Sequence, residues 1–222
     1  MDRERLAQLL ALGGPRKWRK REILFAAGTP MGSFFKITRG VVAVSRTLED
    51  GRRQIVAIRV PGDCVGYLEE GGLYAFEGEA LTDVEACGFD RRKFDAFAAA
   101  HPDLAAATAE ALATALKQTG QAMLVLGQLR STERVAHFLA EIDTLYRVRR
   151  VSSQPLSLHM TRGDIADYLG LTIETVSRTI GKLKRRGIIQ VAGTDEIVVL
   201  DRDRLLDMGK TRCDSKDAGS AF

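Results

Sequence analysis

The chain is poor in the residues that make metal centres and covalent catalysts. It has three cysteines, Cys64, Cys87 and Cys213, and three histidines, His101, His137 and His159. The cysteines are far apart, odd in number and never at CxxC spacing, which argues against a structural zinc site or an iron–sulfur cluster held within one chain. The histidines are as scattered, so a Cys–His catalytic pair would have to be assembled wholly by the fold. No Gly-rich phosphate loop and no nucleophile–base signature occurs, and neither an enzyme nor a bound cofactor or metal is expected. Long apolar runs are missing as well, so no membrane span is expected. The first five residues, Met1 to Arg5, lack the apolar core of a signal peptide, and a cytoplasmic location is the default. Neither a clear internal repeat nor a low-complexity block is visible. Charge of one sign is also scarce: 33 basic residues face 29 acidic ones, for a net charge of +4.

What is present is enough apolar residue, 45% of 222, to pack one large core or two modest ones. The most informative stretch is residues 160–187. Thr161 is an N-cap before a short helix at about 162–169, and Gly170 can take the left-handed conformation that ends it. Thr172 caps a second helix whose apolar residues Ile173, Val176, Ile180 and Leu183 fall at steps of three and four, and therefore on one face. Glu174, Thr175, Ser177, Arg178, Lys182 and Lys184 occupy the other. Two helices and a tight turn with a polar outer face read as a helix-turn-helix suited to the major groove of DNA. Glu174, Ser177 and Arg178 stand at i, i+3 and i+4, so their tips project side by side. Arg can donate twice to guanine, Glu can accept from cytosine, and Ser serves either kind of base. Between residues 172 and 190 five basic residues meet the single acidic Glu174, an excess equal to that of the whole chain and the footprint of phosphate contact. The plainer alternative is a solvated helix end with an intrahelical Glu174–Arg178 pair.

The chain's texture changes twice. Residues 2–12 suggest a short amphipathic helix ended by Gly13, Gly14 and Pro15. From Trp18 to about Asp90, short apolar runs alternate with glycines, which predicts antiparallel β structure with a hairpin at Asp50-Gly51. Residues 79–89 should close the sheet. A short helix follows at 91–97, His101-Pro102 interrupts, and Asp103 should cap a long helix at about 104–129. Along it Leu112, Leu116 (or Ala115), Thr119, Met123, Leu126 and Arg130 approximate a three-four repeat. That seam fits pairing with a second copy or burial within one chain; Gly120 and Gly127 either permit close approach or mark strain. A break at 131–133 starts another helix with Val135, Phe138, Leu139 and Ile142 on one face. Leu156 to Leu158 form a short strand into the helix-turn-helix. Residues 188–191 and 197–200 flank a turn and make a hairpin wing, a last helix spans 201–208, and the polar remainder holds Cys213, a candidate redox thiol in a loose tail. Cys64, beside Pro61-Gly62-Asp63, reads more readily as a small buried apolar residue than as a reactive thiol.

Taken together, the glycine-punctuated strands, the long helix and the winged helix-turn-helix resemble the CRP/FNR family of bacterial transcription regulators over about residues 15–208. The matching marks are Phe25 to Gly28, Arg39-Gly40, Asp50-Gly51-Arg52, Pro61-Gly62-Asp63 with Gly66, and Leu171 to Arg178. The resemblance implies an α+β chain: an N-terminal antiparallel β-roll of the cyclic-nucleotide-binding kind (1–100), a dimerisation helix (101–130), a winged helix-turn-helix (131–208) and a tail (209–222). It implies base reading by Glu174, Ser177 and Arg178 at a TTGA half-site, and phosphate contact by Thr161, Arg162, Thr172 and Thr175, to which the charge pattern adds Lys182 and Lys184. Cyclic-AMP-binding relatives carry an Arg-Ser pair after the Pro-Gly-Asp turn. Here no Arg or Lys occurs between Arg59 and Arg91, so a cyclic phosphodiester would find no cationic partner in that segment. No cysteine precedes Cys64, unlike the cluster-bearing FNR proteins. The pattern is similar to the FixK-like group, which implies a homodimeric activator of an oxygen-limitation regulon, controlled through its own synthesis and contacting RNA polymerase through exposed loops such as 46–53. An effector-gated regulator, its β-roll holding a small molecule or haem, is the alternative.

Overall fold

The computed structural model describes residue 8 and residues 11–67, 69–151, 156–192 and 196–209. The helix expected at 2–12 lies mostly outside the described residues, although Gln8 and Ala11 are helical; the tip of the wing at 193–195 and the tail with Cys213 lie wholly outside them. The chain divides into two units, residues 1–116 and 117–222. The division falls within the expected long helix.

Short apolar runs separated by turn residues make the first unit a β structure. Its strands are β1 (Gly13–Trp18), β2 (Ile23–Phe25), β3 (Ser33–Arg39), β4 (Val42–Thr47), β5 (Arg53–Arg59), β6 (Cys64–Val65), β7 (Glu69–Glu70), β8 (Leu73–Tyr74), β9 (Glu77–Ala80) and β10 (Val84–Asp90). They form two four-stranded antiparallel sheets, ordered β1-β10-β3-β6 and β2-β9-β4-β5, and a small β7-β8 pair. Leu24, Phe25, Val42 and Ala80 from one sheet and Phe35, Ile37, Val65, Val84 and Ala86 from the other share one core, which Tyr74 joins from β8. The two sheets therefore face each other across it, as alternating apolar positions require. The Asp50-Gly51 hairpin forms: β4 and β5 pair up to Thr47 and Arg53, and Gly51 takes φ +85° in the loop between them. Asp50 accepts from the Arg52 amide and guanidinium, and these bonds hold its carboxyl below the usual range.

Two expectations change. The helix ends before Gly13 as expected, with Ala11 helical and Leu12 in a turn, but Gly13, Gly14 and Pro15 already open β1, ahead of the strand region expected from Trp18. Among the described residues β1 is an edge strand paired with β10 alone, a position in which proline is tolerated. Gly13 lies so close to β10 that a Cβ there would stand 2.6 Å from Cys87 Sγ. Residues 79–89 form two strands in different sheets, β9 and β10, with the chain crossing over between them.

Asp90 caps α1 (Arg91–Ala99), accepting from the Lys93 amide at 3.0 Å. Phe94 of α1 packs on Phe34 and Phe89 from the first sheet. The long helix α2 spans Pro102–Gln128. It begins one residue before Asp103, because a proline suits the first helical position, where its missing amide hydrogen is not needed; Asp103 therefore lies in the first turn and is not the cap.

The second unit is organised on α3 (Ser131–Val148), whose Val135, Phe138, Leu139 and Ile142 are all buried as their spacing predicts. Around it lie β11 (Leu156–Ser157), α4 (Arg162–Leu169), α5 (Ile173–Arg185), β12 (Ile189–Val191), β13 (Glu196–Val199) and α6 (Arg202–Gly209). The strands form one antiparallel sheet, β11-β13-β12. The helix expected at 201–208 thus runs one residue further, to Gly209. Buried Asp143 of α3 accepts from Arg147 at 2.9 Å and lies 3.3 Å from the Arg202 guanidinium, tying α6 to α3. Tyr146 is buried too, and its hydroxyl donates to the Leu158 carbonyl at 3.2 Å; burial pushes the phenol pKa well up.

Gly40, between β3 and β4, takes φ +91°, and a Cβ there would collide with the Asp83 carbonyl oxygen and stand 2.8 Å from Thr82 Oγ1. Gly40→Ala should cost on the order of 2–4 kcal/mol, since both backbone conformation and space oppose the methyl group. Urea unfolding followed through the fluorescence of Trp18, in the same unit, measures it; an unchanged midpoint would contradict the close approach.

Candidate nucleic-acid interface

Local bonds fix both helices of the helix-turn-helix. The Thr161 hydroxyl accepts from the Asp164 amide at 3.0 Å, and the Asp164 carboxylate accepts from the Thr161 amide at 2.9 Å, a reciprocal capping box. Gly170 ends α4 at φ +60°, the left-handed conformation that lets the chain reverse without a Cβ penalty. Thr172 then caps α5, accepting from the Thr175 amide at 3.2 Å.

Burial decides which way α5 faces. Val176, Ile180 and Leu183 are buried, with Thr179 beside them. Glu174, Ser177 and Arg178 are all exposed on the opposite side, within a turn and a quarter of helix. The Glu174 carboxyl is held below its usual range by its own backbone N–H and then by the Thr172 hydroxyl, with Arg178 contributing least. It is therefore a pure acceptor at neutral pH, as reading a cytosine amino group requires. Arg178 Nε donates to the Glu174 backbone carbonyl at 3.3 Å, so the guanidinium lies along its own helix. The carboxylate–guanidinium pair of the plainer reading is thus a minor influence on Glu174.

The expected phosphate contacts flank this face. Lys182 and Lys184 are exposed, Arg162 and Thr175 are half-buried, and Thr161 and Thr172 are exposed at the two helix starts. The Thr161 hydroxyl also donates to Asp164 Oδ2 at 2.8 Å, and that of Thr172 stands 3.1 Å from Thr175 Oγ1. Both hydroxyls therefore already serve the caps. Lys182, Lys184 and Arg185 occupy the last turn of α5, where positive charge also favours the helix dipole.

On α2, Leu116 and Met123 are 73% and 72% exposed; Leu112 and Thr119 are exposed with them, while Leu126 is half-buried. Four of the five seam residues thus point to solvent. The neighbouring Val125, which the repeat omitted, is buried.

Several features escaped the sequence reading. Ile173 is not core: it is 53% exposed at the first position of α5, beside Glu174. Its place at the helix start, before the apolar face meets the rest of the unit, was the available signal. A second basic run, Arg16, Lys17, Arg19, Lys20 and Arg21, lies exposed along and after β1, so the charge of α5 is not unique in the chain. Lys17 and Arg21 of that run pair with Glu85 and Glu79. Cys64 is an exposed residue on the edge strand β6, not a buried one, yet desolvation outweighs Lys36 and raises its thiol pKa, which disfavours a reactive thiolate. Among the described residues no cluster of metal-ligating side chains occurs, and no helix is long and apolar enough to cross a membrane.

Two family profiles match the chain: a Crp-like helix-turn-helix domain over residues 133–208 and a cyclic nucleotide-binding domain over residues 15–101. The chain is 34% identical over 211 residues to the transcriptional activator protein FnrL of Cereibacter sphaeroides, covering 93% of this chain and 84% of that protein. It is 36% identical over 191 residues to the nitrogen fixation regulation protein FixK of Bradyrhizobium diazoefficiens, covering 86% and 80%. The solved structure of FixK2 from Bradyrhizobium japonicum superposes with a TM-score of 0.81 at 34% identity, over 90% of this chain and 98% of that one. The regulator CLP of Xanthomonas campestris, at 20% identity and a TM-score of 0.74 over 89% and 99%, shares the fold.

Because Thr161 anchors the capping box, Thr161→Ala should destabilise the second unit by about 1 kcal/mol. Thermal unfolding by circular dichroism checks it, and an unaltered transition would show that the cap contributes nothing.

Proposed function

Since this chain belongs to the CRP/FNR family of transcription regulators, we propose that it works as a cytoplasmic homodimer reading a TTGA-type inverted repeat. Glu174, Ser177 and Arg178 read the bases. The observation that carries this reading is their joint exposure on one side of a helix whose other side is buried. Arg178 donates to guanine O6 and N7, Glu174 accepts from cytosine N4, and Ser177 adapts to either kind of base. Ile173 adds an apolar edge suited to a thymine methyl group. Lys182, Lys184, Arg162, Thr175 and the two cap threonines hold phosphates on either side.

Pairing through α2 explains its exposed leucines and methionine. Leu112, Leu116, Thr119, Met123 and Leu126 form the seam with a second copy, and two recognition helices set about one DNA turn (~34 Å) apart match the symmetry of an inverted repeat. The relatives named as activators support a role in activation, and the FixK-like sequence pattern supports an oxygen-limitation regulon. The hairpin around 46–53, with Leu48 exposed beside its turn, offers RNA polymerase a surface.

The profile match to a cyclic nucleotide-binding domain favours a second reading, in which an effector enters the β-roll. Side chains oppose it. The Phe25 ring lies against Gly78, where any Cβ would collide with it, stacks on Phe35 and packs at a tilt on Tyr74. Arg21 and Arg53 do reach the acidic segment from elsewhere in the chain, but both meet Glu79, at 2.8 and 2.7 Å. A phosphate would have to displace that carboxylate.

Arg178→Ala should cost about 1–3 kcal/mol of binding and relax preference at one guanine. Lys184→Ala should weaken all sequences alike and reduce the slope of log K against log salt by about one. Titrations over a panel of half-site variants and salt concentrations test both; equal loss on every sequence would remove Arg178 from base reading. Met123→Glu should shift the protein towards monomer in sedimentation analysis, and an unchanged dimer would move the interface away from α2.

A further inference from the structure

Gly181 is the ninth of the thirteen residues of α5. Glycine is among the least favourable residues in a helix interior, and nothing in the fold asks for one here. Its φ is not positive, and a Cβ added to it would meet only the flexible tip of Arg185, at 3.6 Å, an ordinary contact. Gly40 and Gly13, by contrast, are held against neighbouring atoms that leave no room. The reason for Gly181 therefore lies outside the free molecule.

Its place on the helix says where. At about 100° per residue, Gly181 points within roughly 15° of the mean direction of Glu174, Ser177 and Arg178, and it sits about 6 Å along the axis from Ser177. It lies at the centre of the stripe that carries the base-reading side chains, one turn beyond them, and is half-buried. Arg185, one turn further on, leans back over it, as helical side chains do. A residue without a side chain at this point is a gap in an otherwise crowded polar face.

We infer that Gly181 is a clearance residue for DNA. The missing Cβ lets the helix seat deeply enough for Glu174, Ser177 and Arg178 to reach base edges, while Arg185 swings off the gap towards a phosphate. Gly181 touches no base through a side chain; it is a positioning residue and acts through the depth of the helix in the groove. This inference rests on the base-reading function proposed above.

The test is the series Gly181→Ala and Gly181→Leu in the full-length protein, with Arg178→Ala alongside, each titrated with a TTGA inverted-repeat duplex and with a scrambled duplex. Alanine and leucine both favour helix, so the melting temperature should hold or rise by a few degrees. Binding to the inverted repeat should fall by roughly tenfold for alanine and further for leucine, with a much smaller loss on the scrambled duplex, because non-specific binding rests on phosphates. Unchanged specific affinity across the series overturns the inference, as does a fall in melting temperature that tracks the loss of binding, which would show a glycine needed by the fold. If Arg178→Ala relaxes preference at a guanine while both Gly181 variants bind like the parent, clearance alone is wrong. If Arg178→Ala leaves preference intact, base reading fails and takes this inference with it.

Discussion

The burial of Val176, Ile180 and Leu183 governs the second unit's chemistry. Three apolar side chains removed from water contribute on the order of 5 kcal/mol or more, far beyond what surface charges supply. They set the rotation of α5 about its own axis, and rotation alone decides which residues can meet another molecule. A helix turned by half a revolution would expose Val176, Ile180 and Leu183 and bury Glu174, Ser177 and Arg178. The capping threonines and Gly170 fix where the helix begins and how the chain enters it, so the burial acts on a segment of defined phase and length.

The first unit uses the same logic inwardly. Facing sheets need their inner sides filled, and here aromatic rings do the filling. Phe25 stacks on Phe35 and packs at a tilt on Tyr74 within the shared core, and Gly78 yields the space that Phe25 occupies. The guanidiniums of Arg21 and Arg53 converge on Glu79, whose side chain is only 12% exposed. Ring packing and charge neutralisation thus satisfy the described interior of the roll with its own side chains.

Legibility followed the strength of local physics. The Thr161 and Thr172 caps, the Gly170 turn and the buried face of α3 were readable because each depends on residues within a turn or two of one another. The Asp50-Gly51 hairpin was readable for the same reason. That Gly13, Gly14 and Pro15 begin a strand as soon as they end a helix was not readable, because their conformation is decided by β10, some seventy residues away, against which an edge strand with no side chain at Gly13 can lie close. Residues 79–89 look like one strand in sequence, and only long-range pairing splits them between two sheets. Ile173 obeyed the helical period yet fell outside the core, since a period gives direction but not whether anything covers the first turn. For Cys64, the spacing of its neighbours could not reveal that it sits at a sheet edge.

The exposed edge of the first sheet has a bearing on how this molecule behaves when crowded. A free edge offers unpaired amides and carbonyls to any other strand, and long flat edges invite sheets to grow from chain to chain. β1 is poorly suited to that. Pro15 withholds a donor in its middle, and Arg16 and Lys17 would have to shed water and face like charges before a copy of the same strand could dock. Strand addition is thereby discouraged at one side of the roll, whose outermost strand is closed to a copy of itself by a missing amide and by charge.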